Sequence, residues 1–179
     1  MGKSIPSRSA FCDHHLNYYW AGLMTDGIME AYTKATYFVL RKNNFLIEPH
    51  NLHFQIQCGQ KSTPLDLLLN SVQSPIKSWA LITAWNPNSV PLDVQENQSR
   101  NKKLLESIQH FTIHFAFGIS PDFDKHKALS LQKTDWPPEE SFLILGISRK
   151  TALSLGKIWE QNAILFGEQN GVVELVDCR

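Results

Sequence analysis

The stretch WALITAWNPNS, Trp79–Ser89, decides the fold, because an apolar strand breaks here into a polar turn. Its first part is rich in aromatic, β-branched and aliphatic residues, which favour a buried strand. Its last part, Asn-Pro-Asn-Ser, is typical of a turn. We therefore expect a strand to end at Trp85 and polar side chains to gather at that end.

The segments after this turn alternate between helix and strand patterns. Asp93 and Glu96 resemble a capping box that opens a helix, and Ser148 is the expected cap of a second helix. The order from 79 to 167 is β-α-β-β-α-β, the split pattern of ferredoxin-like folds. We predict an α+β fold, with a mainly antiparallel sheet and helices on one face. The predicted segments are helices at 93–109 and 148–161 and strands at 79–85, 111–119, 140–147 and 162–167.

The flanking segments extend this unit at both ends. Residues 1–17 are polar and unpatterned, so we expect a loose N-terminal arm followed by a single domain at 18–179. Thr63 and Pro64 indicate the cap and the first residue of a short helix that runs to residue 72. The remaining predicted elements are a helix at 16–32, strands at 33–41 and 51–58, and a C-terminal hairpin strand at 172–177.

Composition argues against several classes of partner. The 17 Lys and Arg residues balance 17 Asp and Glu, so strong sequence-independent binding to nucleic acid is not expected. No apolar run reaches the roughly 18 residues of a membrane span, and the N-terminus lacks the apolar centre of a signal peptide. Cys12, Cys58 and Cys178 form no CxxC pair. We therefore expect a cytoplasmic protein with reduced thiols and no membrane partner.

The predicted strand order brings several polar segments to one end of the sheet. We name this the upper end and define it by the end of the strand at 79–85. The helix at 93–109 and the strand at 140–147 begin there, and the helix at 148–161 ends there. The ligand-binding side chains expected at this end are Trp85, Asn86, Ser89, Asn97, Arg100, Trp136, Ser141, Gln161 and Asn162.

The helical period turns several of these polar residues towards the interior. Leu104 and Ile108 mark the apolar stripe of the first helix. Steps of three and four residues back from them reach Asn97, Arg100 and Asn101. A buried amide without a partner costs about 1–3 kcal/mol, so these amides must bond to one another or to a ligand. Both alternatives stay open, the first being a polar network that holds the fold and binds nothing.

Catalysis has one candidate residue. Glu140 is the candidate general base, because burial beside the WPP loop is expected to raise its carboxyl pKa towards neutrality. The CDHH segment at 12–15 lacks the usual spacing of metal ligands, so no metal site is expected. No serine-nucleophile elbow, zinc-hydrolase motif or Rossmann motif occurs, and the sequence identifies no cofactor.

The leading hypothesis is a domain that binds a small polar ligand, anionic or nucleotide-like, either as an enzyme or without catalysis. One alternative is a protein-interaction module that uses the sheet face or the tryptophan-bearing loop. A further alternative is binding of single-stranded RNA on the sheet face. The stacking signature of RNA-binding sheets is absent, although IHFAFG at 113–118 is faintly similar to it.

Four motifs in order, ITAWNPNS, ENQSR, WPPEESFLILGI and IWEQNAIL, resemble an uncharacterised bacterial family, the domain of unknown function numbered three thousand two hundred and ninety-three. The upstream AYTKATYFVL is similar to the first strand of that family, so the resemblance extends from Glu30 to Val176. Trp159 and Glu160 depart from its usual residues. The resemblance implies a cytoplasmic bacterial protein and brings no activity, cofactor or substrate. Its motifs coincide with the residues expected at the upper end.

Overall fold

The chain folds into an antiparallel sheet that carries helices on both faces. The computed structural model describes residues 26–179 except 43, 46–48 and 121–137. The α+β class predicted from the sequence is confirmed. The elements in the described residues are α1 (Asp26–Lys34), β1 (Thr36–Leu40), β2 (Leu52–Ile56), α2 (Thr63–Ser71), β3 (Ser78–Ile82), α3 (Val94–Ile108), β4 (Thr112–Ile119), β5 (Glu139–Leu145), α4 (Arg149–Ile158), β6 (Ala163–Glu168) and β7 (Glu174–Asp177), with 3₁₀ turns at Pro49–Asn51 and Pro87–Ser89.

The strands in the described residues pair in the order β2-β1-β4-β5-β3-β6-β7, and all neighbours are antiparallel. Because β5 lies between β3 and β4, α3 connects two strands that are not neighbours. At the centre, Leu81 of β3 lies opposite Leu143 of β5 and Leu165 of β6. The upper end, where β3 stops at Ile82, is also where β5 begins at Glu139.

Both faces of the sheet are apolar and both are covered. Leu81 packs in one core cluster with Leu69 of α2. Ile82, the next residue, packs in a second cluster with Leu104 of α3 and Ala152 of α4. The expectation of helices on one face therefore holds for α3 and α4, whereas α2 packs against the opposite face. Every residue of β3 is buried, and a strand without polar alternation needs cover on both sides.

Side-chain caps fix the starts of α3 and α4. The Asp93 carboxylate accepts a hydrogen bond from the Glu96 N–H at 2.8 Å, and Ser148 Oγ accepts one from the Thr151 N–H at 3.1 Å. Such caps stabilise a helix by about 1 kcal/mol each. Both caps are those predicted, and they leave α3 beginning and α4 ending at the upper end.

Two predicted boundaries shift. α2 is capped by Ser62, and Thr63 is already helical. Ser62 Oγ is buried without a partner, and Pro64 in the first turn has no N–H to donate to it. α1 continues to Lys34, so β1 begins later than predicted, at Thr36. The N-terminal arm at 1–17 and the first part of the predicted helix, up to residue 25, lie outside the described residues.

Candidate functional site

The turn after β3 has an unusual backbone conformation. Asn86, Asn88 and Ser89 have positive φ angles of 45°, 51° and 58°, and Glu160 has a φ of 58°. The left-handed region costs about 1–2 kcal/mol for a residue with a Cβ atom, although Asn is several-fold enriched there. The Asn88 N–H donates to Glu160 O at 2.6 Å, which joins the turn to the residue pair after α4. The two strained segments therefore support each other.

Two buried amides lock this turn to the first turns of α3. Asn97 Oδ1 accepts from the Asn86 N–H at 2.8 Å, and Asn97 Nδ2 donates back to Asn86 Oδ1 at 2.9 Å. Asn97 Nδ2 also donates to Leu92 O at 3.2 Å, and the Leu92 N–H donates to Asn86 Oδ1 at 3.0 Å. Asn97 is 2% exposed and Asn86 is 7% exposed. Their polar atoms are therefore satisfied within the protein.

Asn101 continues this network one turn further along α3. Its Oδ1 accepts from the Ala84 N–H at 3.0 Å, and its Nδ2 donates to Glu140 O at 2.9 Å. Thr83 Oγ1 donates to the same carbonyl oxygen at 2.7 Å and accepts from the Trp85 N–H at 3.1 Å. These side chains replace the ladder bonds that end at Ile82, so β3 and β5 stay connected beyond their last pair.

Arg100 links α3 to the end of α4. Its Nε donates to Ala84 O at 2.8 Å, and its Nη2 donates to Trp159 O at 3.1 Å and to Glu160 Oε2 at 3.2 Å. The guanidinium carbon lies 5.8 Å from the centre of the Trp159 ring. The Arg100 side chain is 21% exposed and that of Glu160 is 52% exposed. Among the described residues, none accepts a hydrogen bond from Arg100 Nη1.

Gln161 holds two tryptophan carbonyl groups, while the indole nitrogens stay unpaired. Gln161 Nε2 donates to Trp85 O at 3.0 Å and to Trp159 O at 3.2 Å. In the part of the chain that the structure describes, the buried Nε1 atoms of Trp85 and Trp159 have no hydrogen-bond partner. A buried donor left in this state costs about 1–3 kcal/mol. The network therefore satisfies its amides and leaves these two indole donors unused.

A cluster of two hydroxyls and an amide lies at the other side of the turn. Asn162 Nδ2 donates to Ser89 Oγ at 2.7 Å, and Ser89 Oγ is 3.0 Å from the Tyr32 hydroxyl. The Tyr37 hydroxyl donates to Tyr32 O at 3.3 Å. Burial raises the pKa of the Tyr32 hydroxyl, an effect opposed by its hydrogen bond with Ser89. Tyr32 is therefore a neutral phenol that can donate a hydrogen bond at neutral pH.

Two adjacent glutamates begin β5 at the upper end. Glu139 Oε1 accepts from Asn86 Nδ2 at 2.7 Å. Burial raises the pKa of the Glu140 carboxyl, and a hydrogen bond with Asn101 opposes this shift. Ser141 is 2% exposed, and its hydroxyl donates to Glu139 O at 3.2 Å. The direction of the Glu140 shift is the one expected of a candidate general base.

The predicted site residues lie in two groups that meet at the turn. One group surrounds the reciprocal Asn86–Asn97 pair and includes Arg100, and the other contains Ser89 and Asn162. Trp136 lies outside the described residues. Sequence reasoning did not assign site roles to residues that the structure adds to these groups. They are Tyr32, Thr83, Asn101, Glu139 and Glu160.

One sequence signal was present for Tyr32, since it stands in the AYTKATYFVL motif. Asn101 lies on the inward face that the helical period identifies. Thr83, Glu139 and Glu160 likewise stand in the motifs ITAWNPNS, WPPEESFLILGI and IWEQNAIL.

Other features of the described residues bear on the class of protein. They contain no group of three or more His, Cys, Asp or Glu side chains that could hold a metal ion. None of the helices among them has the length and apolar character needed to cross a membrane. Phe117 stacks on Phe38 at 5.3 Å between ring centres, and Phe115 packs edge-on against Phe142 at 5.2 Å. The aromatic rings of IHFAFG therefore contact other rings of the protein.

One protein-family model matches part of the chain. Residues 82–164 match the family model described as a protein of unknown function, DUF3293. The family resemblance predicted from the motifs is thereby confirmed for this segment, which runs from the end of β3 into β6. No curated protein and no solved structure matches the chain. The ferredoxin-like character of residues 79–167 stays a prediction.

Proposed function

We propose that the chain binds a small polar ligand, anionic or nucleotide-like, at the upper end of the sheet. The observation that carries this proposal is the strained turn at 86–89, which buried amides hold in one geometry. A turn that only connects a strand to a helix does not require strained residues, because glycine adopts positive φ angles without strain. Residues with strained backbone angles are often found at sites where a fixed geometry is part of the function.

The ligand contacts in this proposal are the groups with unused hydrogen-bonding capacity. The amides of Asn86 and Asn97 are satisfied by each other and by backbone groups, so they position the site. Arg100 Nη1 is a donor without a partner among the described residues. Glu140 is the candidate general base if the ligand reacts, because burial raises the pKa of its carboxyl.

An anionic group fits best beside Arg100. A guanidinium presents its donors as a planar fork that matches carboxylate and phosphate oxygens. The Glu160 carboxylate, 3.2 Å from Nη2, is half exposed and competes with such an anion. An ion pair of this exposure is worth about 0–1 kcal/mol, so an anionic ligand can replace it at little cost.

A thermal-shift screen tests the proposal with inorganic phosphate, ribose 5-phosphate and adenosine monophosphate. A compound at about one hundred times its Kd stabilises the folded state by about 2.7 kcal/mol. For a chain of this size the melting temperature should rise by about 5–11 °C. Arg100→Gln should lose this rise. Because the substitution also removes structural hydrogen bonds, the melting temperature of the variant with ligand is compared with that of the same variant without ligand.

Two further variants control this experiment. Arg149 pairs with Glu174 at 2.6 Å near the start of α4, away from the upper end, so Arg149→Gln should keep the full response. Glu160→Gln should strengthen the response, because it removes the competing carboxylate. An equal response in wild type and Arg100→Gln would refute the anion site. A wild-type protein that none of the compounds stabilises would contradict the whole proposal.

A second candidate function, binding of a protein partner, is favoured by a groove beside the edge strand β2. Leu67 in this groove is 65% exposed, and β2 is the last strand on its side of the sheet among the described residues. Apolar patches and open strand edges are frequent interaction surfaces. The groove encloses about 530 Å³ and is lined by His53, Phe54, Thr63, Pro64, Leu67, Leu68 and Ser71.

Photo-crosslinking in cells tests this second candidate. A photoreactive side chain at Leu67 should capture a partner, whereas the same group at the exposed Lys103 of α3 should not. Equal capture from both positions would contradict a specific surface at β2.

A further inference from the structure

Helix α1 differs from the other helices in how it is attached to the sheet. The two core clusters include Leu69 of α2, Leu104 of α3 and Ala152 of α4. None of the residues 26–34 that form α1 belongs to either cluster. Segments with few buried apolar contacts open locally at a low cost in free energy. The polar contacts of α1 are therefore important for keeping it docked.

Tyr32, in the last turn of α1, makes these polar contacts. Its hydroxyl oxygen lies 3.0 Å from Ser89 Oγ and also takes part in a hydrogen bond with Asn162. Its carbonyl oxygen accepts a hydrogen bond from the Tyr37 hydroxyl at 3.3 Å. Tyr32 therefore joins α1 to the strained turn at 86–89, to the residue before β6, and to β1.

Ser89 is the residue of this turn that most needs support from other elements. Its φ angle is 58°, and Asn86 and Asn88 also have positive φ angles. Asparagine is enriched in the left-handed region, whereas serine is not among the residue types that favour it. The Ser89 side chain is held by Asn162 Nδ2 at 2.7 Å and by the Tyr32 hydroxyl. These contacts offset the strain of the Ser89 backbone.

We propose that Tyr32 is a positioning residue, which makes α1 a latch that holds the turn at 86–89 in its strained geometry. When α1 undocks, Ser89 loses one of its side-chain contacts and the turn loosens. The latch reaches the anion site through Glu160, whose carbonyl oxygen accepts from the Asn88 N–H and whose carboxylate accepts from Arg100. Only this effect on the anion site rests on the proposed function, because the coupling between α1 and the turn needs no ligand.

Amide hydrogen exchange of the full chain without ligand, followed by mass spectrometry, tests the latch. Ala31→Gly removes only an exposed methyl group of α1, and it should speed exchange in α1 roughly fivefold because glycine weakens a helix. The Ser89 and Val90 amides, whose hydrogen bonds lie within the turn, should also exchange faster. Tyr32→Phe, which removes the hydroxyl contact itself, should speed exchange in both segments.

Leu67→Gly is the matched control, because it places glycine at an exposed position of α2, a helix in the other core cluster from α3 and α4. It should speed exchange in α2 and leave the turn unchanged. A turn that exchanges at the wild-type rate in both Ala31→Gly and Tyr32→Phe would overturn the latch. So would a turn that responds equally to Leu67→Gly, since the response would then come from general destabilisation.

Inorganic phosphate tests whether the latch reaches the anion site. Coupling between two sites is reciprocal, so phosphate bound at Arg100 should slow exchange in α1 as well as in the turn. Protection of the turn without protection of α1 would overturn the connection to the anion site. A wild-type protein in which phosphate changes no exchange rate would refute the anion site, whereas the variants alone decide the latch.

Discussion

Asn97→Ala should destabilise the folded state by about 1.5–3.5 kcal/mol. The substitution removes the acceptor of the Asn86 N–H and the donor to Leu92 O. Asn86 Oδ1 keeps the bond from the Leu92 N–H at 3.0 Å, so two groups are left unpaired. Each unpaired group costs about 1–3 kcal/mol, and the cost for the carbonyl of the half-buried Leu92 lies at the lower bound. The better helix propensity of alanine returns about 0.5 kcal/mol.

Urea unfolding of wild type and Asn97→Ala measures this loss. Gln98→Ala is the matched control, because it makes an amide-to-alanine change at the next, exposed residue of the same helix. The control should stay within about 0.5 kcal/mol of wild type. A loss below about 1 kcal/mol in Asn97→Ala would refute the idea that buried amides hold the turn.

A double-mutant cycle isolates the reciprocal pair. Asn86→Ala and Asn97→Ala should be coupled by about 0.5–3 kcal/mol, because each residue is the other's hydrogen-bond partner. Strictly additive losses would mean that the two amides act independently, contrary to the 2.8 Å and 2.9 Å contacts between them.

Three other variants test separate features. Burial raises the folded-state pKa of Glu140, so stability should fall as pH rises from the unfolded-state value through the folded-state one. Glu140→Gln should remove this decline. Parallel profiles of unfolding free energy against pH for the wild type and the variant would contradict this prediction. Gly167→Ala should cost about 1–3 kcal/mol in urea unfolding, because its Cβ would lie 2.7 Å from Trp79 Cζ2. Ser148→Ala should cost about 1 kcal/mol and speed amide exchange in the first turn of α4.

The elements and the inward amides could be predicted because both follow from local periodicity. A period of 3.6 residues places Asn97 and Asn101 on the same face of α3 as Leu104, and all three are buried. The direction of each strand follows from the order of elements. The sequence therefore also predicts that the polar segments lie together at the upper end. The cap of α3 at Asp93 depends only on residues three apart, and it lies where predicted.

The hydrogen-bond partners could not be predicted, because they depend on backbone angles that the sequence does not specify. Asn97 accepts from the Asn86 N–H in a turn where Asn86 has a φ of 45°, a conformation that no local pattern specifies. The contact between Tyr32 and Ser89 joins residues 57 positions apart, and no local pattern predicts it. The position of α2 depends on which face α3 and α4 leave open, which is a property of the assembled sheet.

The structure also narrows the choice between a polar network and a ligand site that the sequence left open. A ligand that bound directly to Asn86 and Asn97 would have to break bonds of 2.8 Å and 2.9 Å that are already made in a buried environment. Each broken bond leaves a desolvated group that the ligand must satisfy before it gains any affinity. Arg100 Nη1 requires no such exchange, because none of the described residues accepts a hydrogen bond from it. Substitutions of Asn97 should therefore change mainly stability, whereas substitutions of Arg100 should also change binding.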